Sequence, residues 1–272
     1  MESGPVITSK TNARVKALRE ALSGNARKPG ELLGLEGEHL LVEAARSGLT
    51  LRTIFVREDS QTVLQRPALA GIQAREYTVL SRDVFAGAVD TASPQGIAAI
   101  VEIPKIAGGR SSPVKLVLEG LQDPGNLGTL LRSAEAFGVG QVFVTPDTAN
   151  QWNPKTVRAS AGSVFRVPVE RMALKEIKAR LTERGVRLVA AVAHAEHATA
   201  AMDALLAADS ALMVGNEGAG LSESALALAD EFVHIPCMTE SLNAAVAGSV
   251  LMYEAMRQRI AATIPATAKV SR

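Results

Sequence analysis

Apolar residues recur at helical spacing in TNARVKALREALS (11–23), where Val15, Leu18 and Leu22 share one face and Thr11 or Asn12 can cap the start. Short runs rich in Leu, Ile and Val then alternate with helical periods. LLGLEG precedes the helix EHLLVEAARSG, and LRTIFVRE and EYTVL precede the helix SRDVFAGAV and the strand QGIAAIVEI. This alternation predicts a small α/β domain over residues 1–105. The stretch PKIAGGRSSP concentrates Gly, Ser and Pro without periodicity, which predicts a linker over 106–113. From Val114 the alternation restarts with the strand KLVLEG, the helix LGTLLRSAEAFG and the strands QVFVTP and VFRVPV. It continues with the helix MALKEIKARLTERG, the strands VRLVAAV and SALMVG, the helix SESALALA, the strand EFVHIP and a long helix from about Ser241 to Ile260. Such strands, near-continuously apolar and separated by helices, predict a mainly parallel sheet covered on both faces over 114–262, with a flexible tail over 263–272.

Composition narrows this picture modestly. A chain of 272 residues, 47% hydrophobic, can bury two ordinary cores. No window approaches the roughly 20 apolar residues of a membrane span, and MESGPVITSKTNARVK lacks the apolar core of a secretory signal, so a cytoplasmic protein without membrane contact is expected. The lone cysteine, Cys237, has no partner for a disulfide, and no Cys/His cluster has zinc spacing, so no metal is expected. Lys+Arg (29) and Asp+Glu (28) nearly cancel, but the amino end is basic: Lys10, Arg14, Lys16, Arg19, Arg27 and Lys28 stand against Glu2 and Glu20. Charge alone reads as a solvated helix face or as phosphate contact.

The candidate chemistry lies in glycine-rich strand ends. Gly125, Gly128, Gly215, Gly218 and Gly220 fall at the carboxyl ends of predicted strands, the rim where open α/β sheets bind ligands. Neither the G-x-G-x-x-G fingerprint nor a G-x-x-x-x-G-K-[ST] loop is present, which disfavours a nicotinamide or NTP site. In IPCMTESLNAAVAGSVLMYEAM, Ser241 is the expected cap and Asn243 the expected first-turn residue of a helix whose Ala244, Ala245, Ala247 and Gly248 permit close packing. Leu127, Leu130, Leu131 and Ala134 make one buried helix face, so Arg132 points away from it. His194 and His197 read as a surface pair, and Trp152 and Cys237 as packing residues.

Three segments in this order, DPGNLGTLLRSAEAFG, MVGNEGAGLS and IP followed by ESLNAAVA, resemble the motifs of the SpoU (TrmH-like) branch of the SPOUT RNA methyltransferases. The likeness spans about Val114 to Arg259. ITSKTNARVK and SPQGIAAIVE are similar to the first and last elements of the substrate-binding domain joined to many of these enzymes. One departure is the segment Cys237 to Glu240, which is short for the family. The resemblance implies a Rossmann-like parallel-sheet SPOUT domain with a carboxy-terminal trefoil knot, which periodicity cannot reveal, behind a small ribosomal-protein-like α/β domain. It also implies a bent S-adenosylmethionine and an active site at a homodimer interface formed by the knot region, with Ala244, Ala247 and Leu251 among its contacts.

The implied roles follow residue by residue. Asn126, Arg132, Glu217 and Asn243 become the catalytic set; Thr145, Gly215, Asn216, Gly220, Ile235 and Leu242 become cofactor contacts; Lys10, Arg14, Gly128, Lys155, Arg158 and Ser160 become RNA contacts. The implied reaction methylates a ribose 2′-hydroxyl of structured RNA, ribosomal RNA ahead of tRNA. Methyl transfer from a sulfonium is an in-line displacement, so the protein's tasks are position and deprotonation. Arg132 is always protonated and a poor base, so phosphate-assisted activation is the easier route. The competing readings are an RNA-binding or assembly protein that has kept the fold and lost turnover, and a dinucleotide-dependent α/β enzyme, which lacks its fingerprint.

Overall fold

The structure, a computed structural model, describes residues 5–263 apart from positions 90, 92, 93, 107, 110 and 194–196. The chain divides into two compact units, Met1–Ile106 with Asn150–Arg166, and Ala107–Ala149 with Val167–Arg272. The first unit begins with α1 (Ala13–Leu22), capped by Asn12, whose side chain accepts from Arg14 N. It continues through β1 (Leu32–Glu36), α2 (Glu38–Arg46), β2 (Leu51–Arg57), β3 (Ala74–Leu80), α3 (Arg82–Ala86) and β4 (Ile97–Glu102). The sheet order is β1-β4-β2-β3, antiparallel except for the parallel β2–β3 pair. Val15, Leu18 and Leu22 of α1 pack with Phe55, Leu80 and Phe85, as the helical spacing predicts. Gly34 lets α1 approach β1: a Cβ there would stand 2.6 Å from Leu22 Cγ.

The second unit starts with β5 (Val114–Leu118), α4 (Pro124–Ala136) and β6 (Gln141–Val144). Asp123 caps α4 by accepting from Gly125 N at 3.0 Å, and Pro124 occupies the first helical position, which suits its fixed φ and missing N–H. Asn150–Arg166, with α5 (Pro154–Ala159), then belong to the first unit, although sequence alternation places them in the second domain. Two contacts within that unit explain the membership. Asn150 Nδ2 donates to Ala26 O at 2.9 Å, and Arg166 Nη1 reaches Ser47 Oγ at 2.8 Å and Glu43 Oε2 at 2.9 Å. In place of most of the expected strand VFRVPV there is a 3-10 turn at Ser163–Phe165, and sheet hydrogen bonding begins at Pro168, whose carbonyl accepts from Val142 N at 2.9 Å.

The second unit resumes with β7 (Val169–Arg171), α6 (Leu174–Glu183), β8 (Arg187–Ala191), β9 (Thr199–Ala200), β10 (Ser210–Val214), α7 (Glu223–Leu228), β11 (Glu231–His234) and α8 (Ala244–Thr263). Its seven strands are all parallel, in the order β7-β6-β5-β10-β8-β11-β9. Alternation along the buried β10 sends Ala211 and Met213 toward Ile177 and Leu181 of α6 and Ala225 of α7. On the other face α8 packs on α4, and Gly248 makes this possible: a Cβ there would lie 2.5 Å from Leu130 Cδ2 and 3.4 Å from Val214 Cγ2. Because β10 sits beside β5, the loops that follow these strands meet at one rim although they are far apart in sequence. No helix among the described residues is long and apolar enough to cross a membrane.

Candidate active site

Three strand ends build the site. After β10 the chain folds into a closed loop in which Asn216 N donates to Gly220 O at 2.9 Å and Gly220 N returns to Asn216 O at 3.0 Å. Asn216 braces it from inside, its Oδ1 accepting from Gly218 N and Ala219 N while its Nδ2 donates to Gly120 O at 2.8 Å. Gly215 is required by contact: a Cβ would lie 2.4 Å from the carbonyl carbon and oxygen of Gly220. Gly220 is required by conformation, with φ at +70°.

This loop projects Glu217 onto the start of α4. The carboxylate accepts from Asn126 Nδ2 at 3.0 Å, Asp123 N at 3.1 Å and Gln122 N at 3.3 Å. Partial desolvation pushes the Glu217 carboxyl up, but these donors, Asn126 foremost, outweigh it and hold the group below the ordinary carboxylate range. The third segment joins at the same point, where Asn243 Nδ2 donates to Asn126 Oδ1 at 3.2 Å. Asn243 Oδ1 also accepts from Ala245 N and Val246 N, so Asn243 and not Ser241 caps α8; the short Asx side chain reaches the free amides of the first turn. Asn126, Glu217 and Asn243 thus tie three loops into one unit.

Beside this junction lies a cleft of about 310 Å³ at the carboxyl ends of β8, β10 and β11. Ile235, Leu242, Val233 and Leu251 supply apolar wall, and residues Gly215–Gly220 supply backbone. Arg132 is exposed on α4, with Leu127, Leu130, Leu131 and Ala134 buried on the opposite side as the spacing predicts. Among the described residues it has no hydrogen-bond or ion-pair partner, so its guanidinium is available.

A model of the SpoU rRNA Methylase family matches residues 113–253. The chain belongs to the SpoU rRNA methylase family. A model of the MRM3-like substrate binding domain matches residues 12–99. The chain is 34% identical over 251 residues to the 23S rRNA (guanosine(2553)-2'-O)-methyltransferase RlmP of Bacillus subtilis, covering 91% of this chain and 97% of that one. Its fold resembles the crystal structure of an RNA 2'-O ribose methyltransferase, with a TM-score of 0.80 and 30% identity over 94% of this chain and 100% of the other. It also resembles the SpoU methyltransferase AviRb from Streptomyces viridochromogenes in complex with the cofactor AdoMet, with a TM-score of 0.76 and 26% identity over 92% and 98% of the two chains.

The lining suits the adenosyl cofactor of a SpoU methylase. No Lys or Arg is among the described residues of the cleft wall, so it offers no partner for a di- or triphosphate, whereas apolar side chains with exposed backbone suit a neutral ring and ribose. Gly215, Asn216, Gly220, Ile235 and Leu242 line it. Thr145 does not. It is buried behind the first loop, where its hydroxyl accepts from Gly120 N at 2.9 Å and bonds Asp147 and Thr148, so it shapes the loop and not the wall.

The residues proposed from sequence for RNA contact divide. Lys10, Lys155 and Arg158 are exposed on the first unit. Arg14 is also exposed, but its guanidinium is ion-paired with Glu76. Ser160 is fully buried, its hydroxyl donating to Val157 O and accepting from Val164 N, so it is a structural turn residue and not a phosphate ligand. Gly128 is buried on the inward face of α4 and so is not exposed for RNA approach. Trp152 is a packing residue, 3% exposed, whereas Cys237 lines the cleft and donates to Thr239 O. His194 lies outside the described residues, and His197 is exposed. Sequence reasoning missed the β8 end, Ala191–Ala193, as cleft wall; its position at the carboxyl end of the strand VRLVAAV was the available signal.

Proposed function

We propose that this protein transfers a methyl group from S-adenosylmethionine to a ribose 2′-hydroxyl of ribosomal RNA. The observation that carries the reading is the hydrogen-bonded junction of Asn126, Glu217 and Asn243 beside a cleft with no Lys or Arg among its described residues, and Arg132 exposed on the adjoining helix without a partner among the described residues. The named activity of the Bacillus subtilis relative and the cofactor in the AviRb complex support it.

S-adenosylmethionine supplies a sulfonium-bound methyl carbon open to in-line displacement. Residues Gly215–Gly220 would hold it through backbone groups, with Ile235 and Leu242 against its ring. Glu217, whose ionised form is favoured by three donors, is a poor proton acceptor; it positions the first loop, and Asn126 and Asn243 extend that bracing. Arg132 binds an RNA phosphate and places one of its oxygens where the 2′-hydroxyl proton leaves. This stabilises charge without asking a guanidinium to act as base.

The first unit acts as an RNA arm, with Lys10, Lys155 and Arg158 as phosphate contacts. The protein works in the cytoplasm as a homodimer, and the chain after β11 forms a trefoil knot. Ala244 and Leu251 are buried within the chain, so they are not free for a partner. The dimer surface is instead the exposed apolar stripe of α8, Val246 (49% exposed), Val250 (38%) and Tyr253 (49%).

The test is single-turnover transfer of labelled methyl from S-adenosylmethionine to ribosomal RNA, with 2′-O-methyl mapping of the product. Calorimetric binding of NAD and not of S-adenosylmethionine would refute the reading.

A further inference from the structure

A second cavity, about 270 Å³, lies wholly within the first unit, between the end of β1, the first turn of α2, the side chains of Thr91 and Gln95, and Arg158 of α5. Glu36 ends β1 on its wall and is 9% exposed. One of its carboxylate oxygens accepts from the Thr91 hydroxyl; the other, Oε2, is buried and has no partner. A carboxylate oxygen in this state needs an N–H or O–H donor, and none is supplied from the described residues.

The rest of the wall offers donors. Gly37, at φ +93°, lets Gln95 fold over the start of α2, where Gln95 Oε1 accepts from Glu38 N at 3.0 Å. The other end of that amide, Nε2, has no acceptor among the described residues. A side chain at position 37 would crowd this arrangement, its Cβ only 3.0 Å from Gln95 Oε1. Arg158, exposed on α5, stands at the mouth with no ion pair among the described residues. The cavity wall therefore carries a carboxylate with one buried, unpartnered oxygen, a side-chain amide and a guanidinium.

We propose that this cavity receives one unstacked guanine of the RNA, with Glu36 accepting from its Watson–Crick edge. Guanine alone among the four bases carries two adjacent donors, N1–H and N2–H₂, beside an acceptor, O6. The first two suit Glu36 and the third suits Gln95 Nε2, while Arg158 suits the flanking phosphate. Single-stranded segments with splayed bases are the usual targets of sequence-specific RNA recognition. The inference rests on the reading that RNA is the substrate, and it assigns the first unit a choice of base in addition to charge.

The experiment measures fluorescence anisotropy of the full chain with four labelled RNA undecamers, uridines flanking a central G, A, C or inosine, at one fixed salt concentration. The central G binds tightest, about tenfold or more over A and C, as expected for a good bidentate contact. Inosine, which lacks the N2 amino group, loses much of that advantage. Glu36→Gln abolishes the preference for G while S-adenosylmethionine binding, followed by calorimetry, is unchanged. Arg158→Ala weakens all four oligonucleotides alike. Equal affinities for G, A and C, or equal affinities for G and inosine in the parent protein, overturn the proposal even if Glu36→Gln fails to fold. With S-adenosylmethionine binding intact, those outcomes leave the methyltransferase reading standing.

Discussion

The side-chain amide of Asn126 donates to Glu217 Oε1 at 3.0 Å, joining two loops 91 residues apart in sequence. Asn243 completes the junction by donating to the oxygen of the same amide. Each group satisfies a polar neighbour that would otherwise be left unpaired, so the three loops hold or loosen together.

Glu217→Gln replaces one acceptor oxygen with a donor, which in either amide orientation faces a backbone N–H, Gln122 N or Asp123 N. The Glu217 carboxyl is depressed in the folded protein, so its stabilisation is present above its ordinary value of 4.5 and is lost as pH falls through the lower folded value. The stability gap between parent and variant, from urea unfolding at several pH values, should therefore be widest near neutrality and shrink on acidification below about pH 4.5. A gap independent of pH would remove the carboxylate from this role.

Arg132→Ala should lower single-turnover methyl transfer by roughly 10²-fold or more, the scale of a lost charge-stabilising group. S-adenosylmethionine affinity should barely change, since Arg132 is not on the cleft wall. Arg132→Lys should rescue little, because a point charge does not reproduce a planar fork. A rate within threefold of the parent for the alanine variant would return Arg132 to the surface.

Gly215→Ala places a methyl group 2.4 Å from the Gly220 carbonyl, which is backbone and cannot swing aside. The loop must open, and calorimetry should show S-adenosylmethionine binding reduced at least tenfold while the far-UV spectrum is retained. Unchanged affinity would mean that the loop does not hold the cofactor.

Leu251 and Val250 are neighbours with opposite duties on α8. Leu251→Ala should cost about 2–5 kcal/mol by leaving a core cavity. Val250→Glu should leave the monomer's fold intact but convert a dimer to monomers in sedimentation at micromolar concentration. A parent protein that sediments as a monomer would end the interface proposal.

Removing residues 1–106 strips Asn150 of its acceptors Gly24 O and Ala26 O, and Arg166 of Glu43 and Ser47. Trp152, the single tryptophan, is buried in that unit, so its emission should shift to the red in the truncated protein. S-adenosylmethionine binding should survive, and transfer to RNA at low RNA concentration should fall. An unshifted spectrum would show that 150–166 packs without the amino-terminal residues.

Periodicity in the sequence determined the α/β alternation, the buried face Leu127, Leu130, Leu131 and Ala134 of α4, and the outward direction of Arg132, because these depend on spacing within one element. The glycine-rich strand ends marked the site for the same local reason: positive φ at Gly220 and the tight return at Gly215 are demands of the backbone itself. Tertiary structure alone decided that β10 lies beside β5, which brings Glu217 onto Asn126. It also decided that Asn150–Arg166 packs with the first unit, and that Gly128 and Ser160 face inward while Thr145 sits behind the loop. Strand order and burial are set by contacts between distant segments, whose closure entropy and packing leave no periodic trace in the chain.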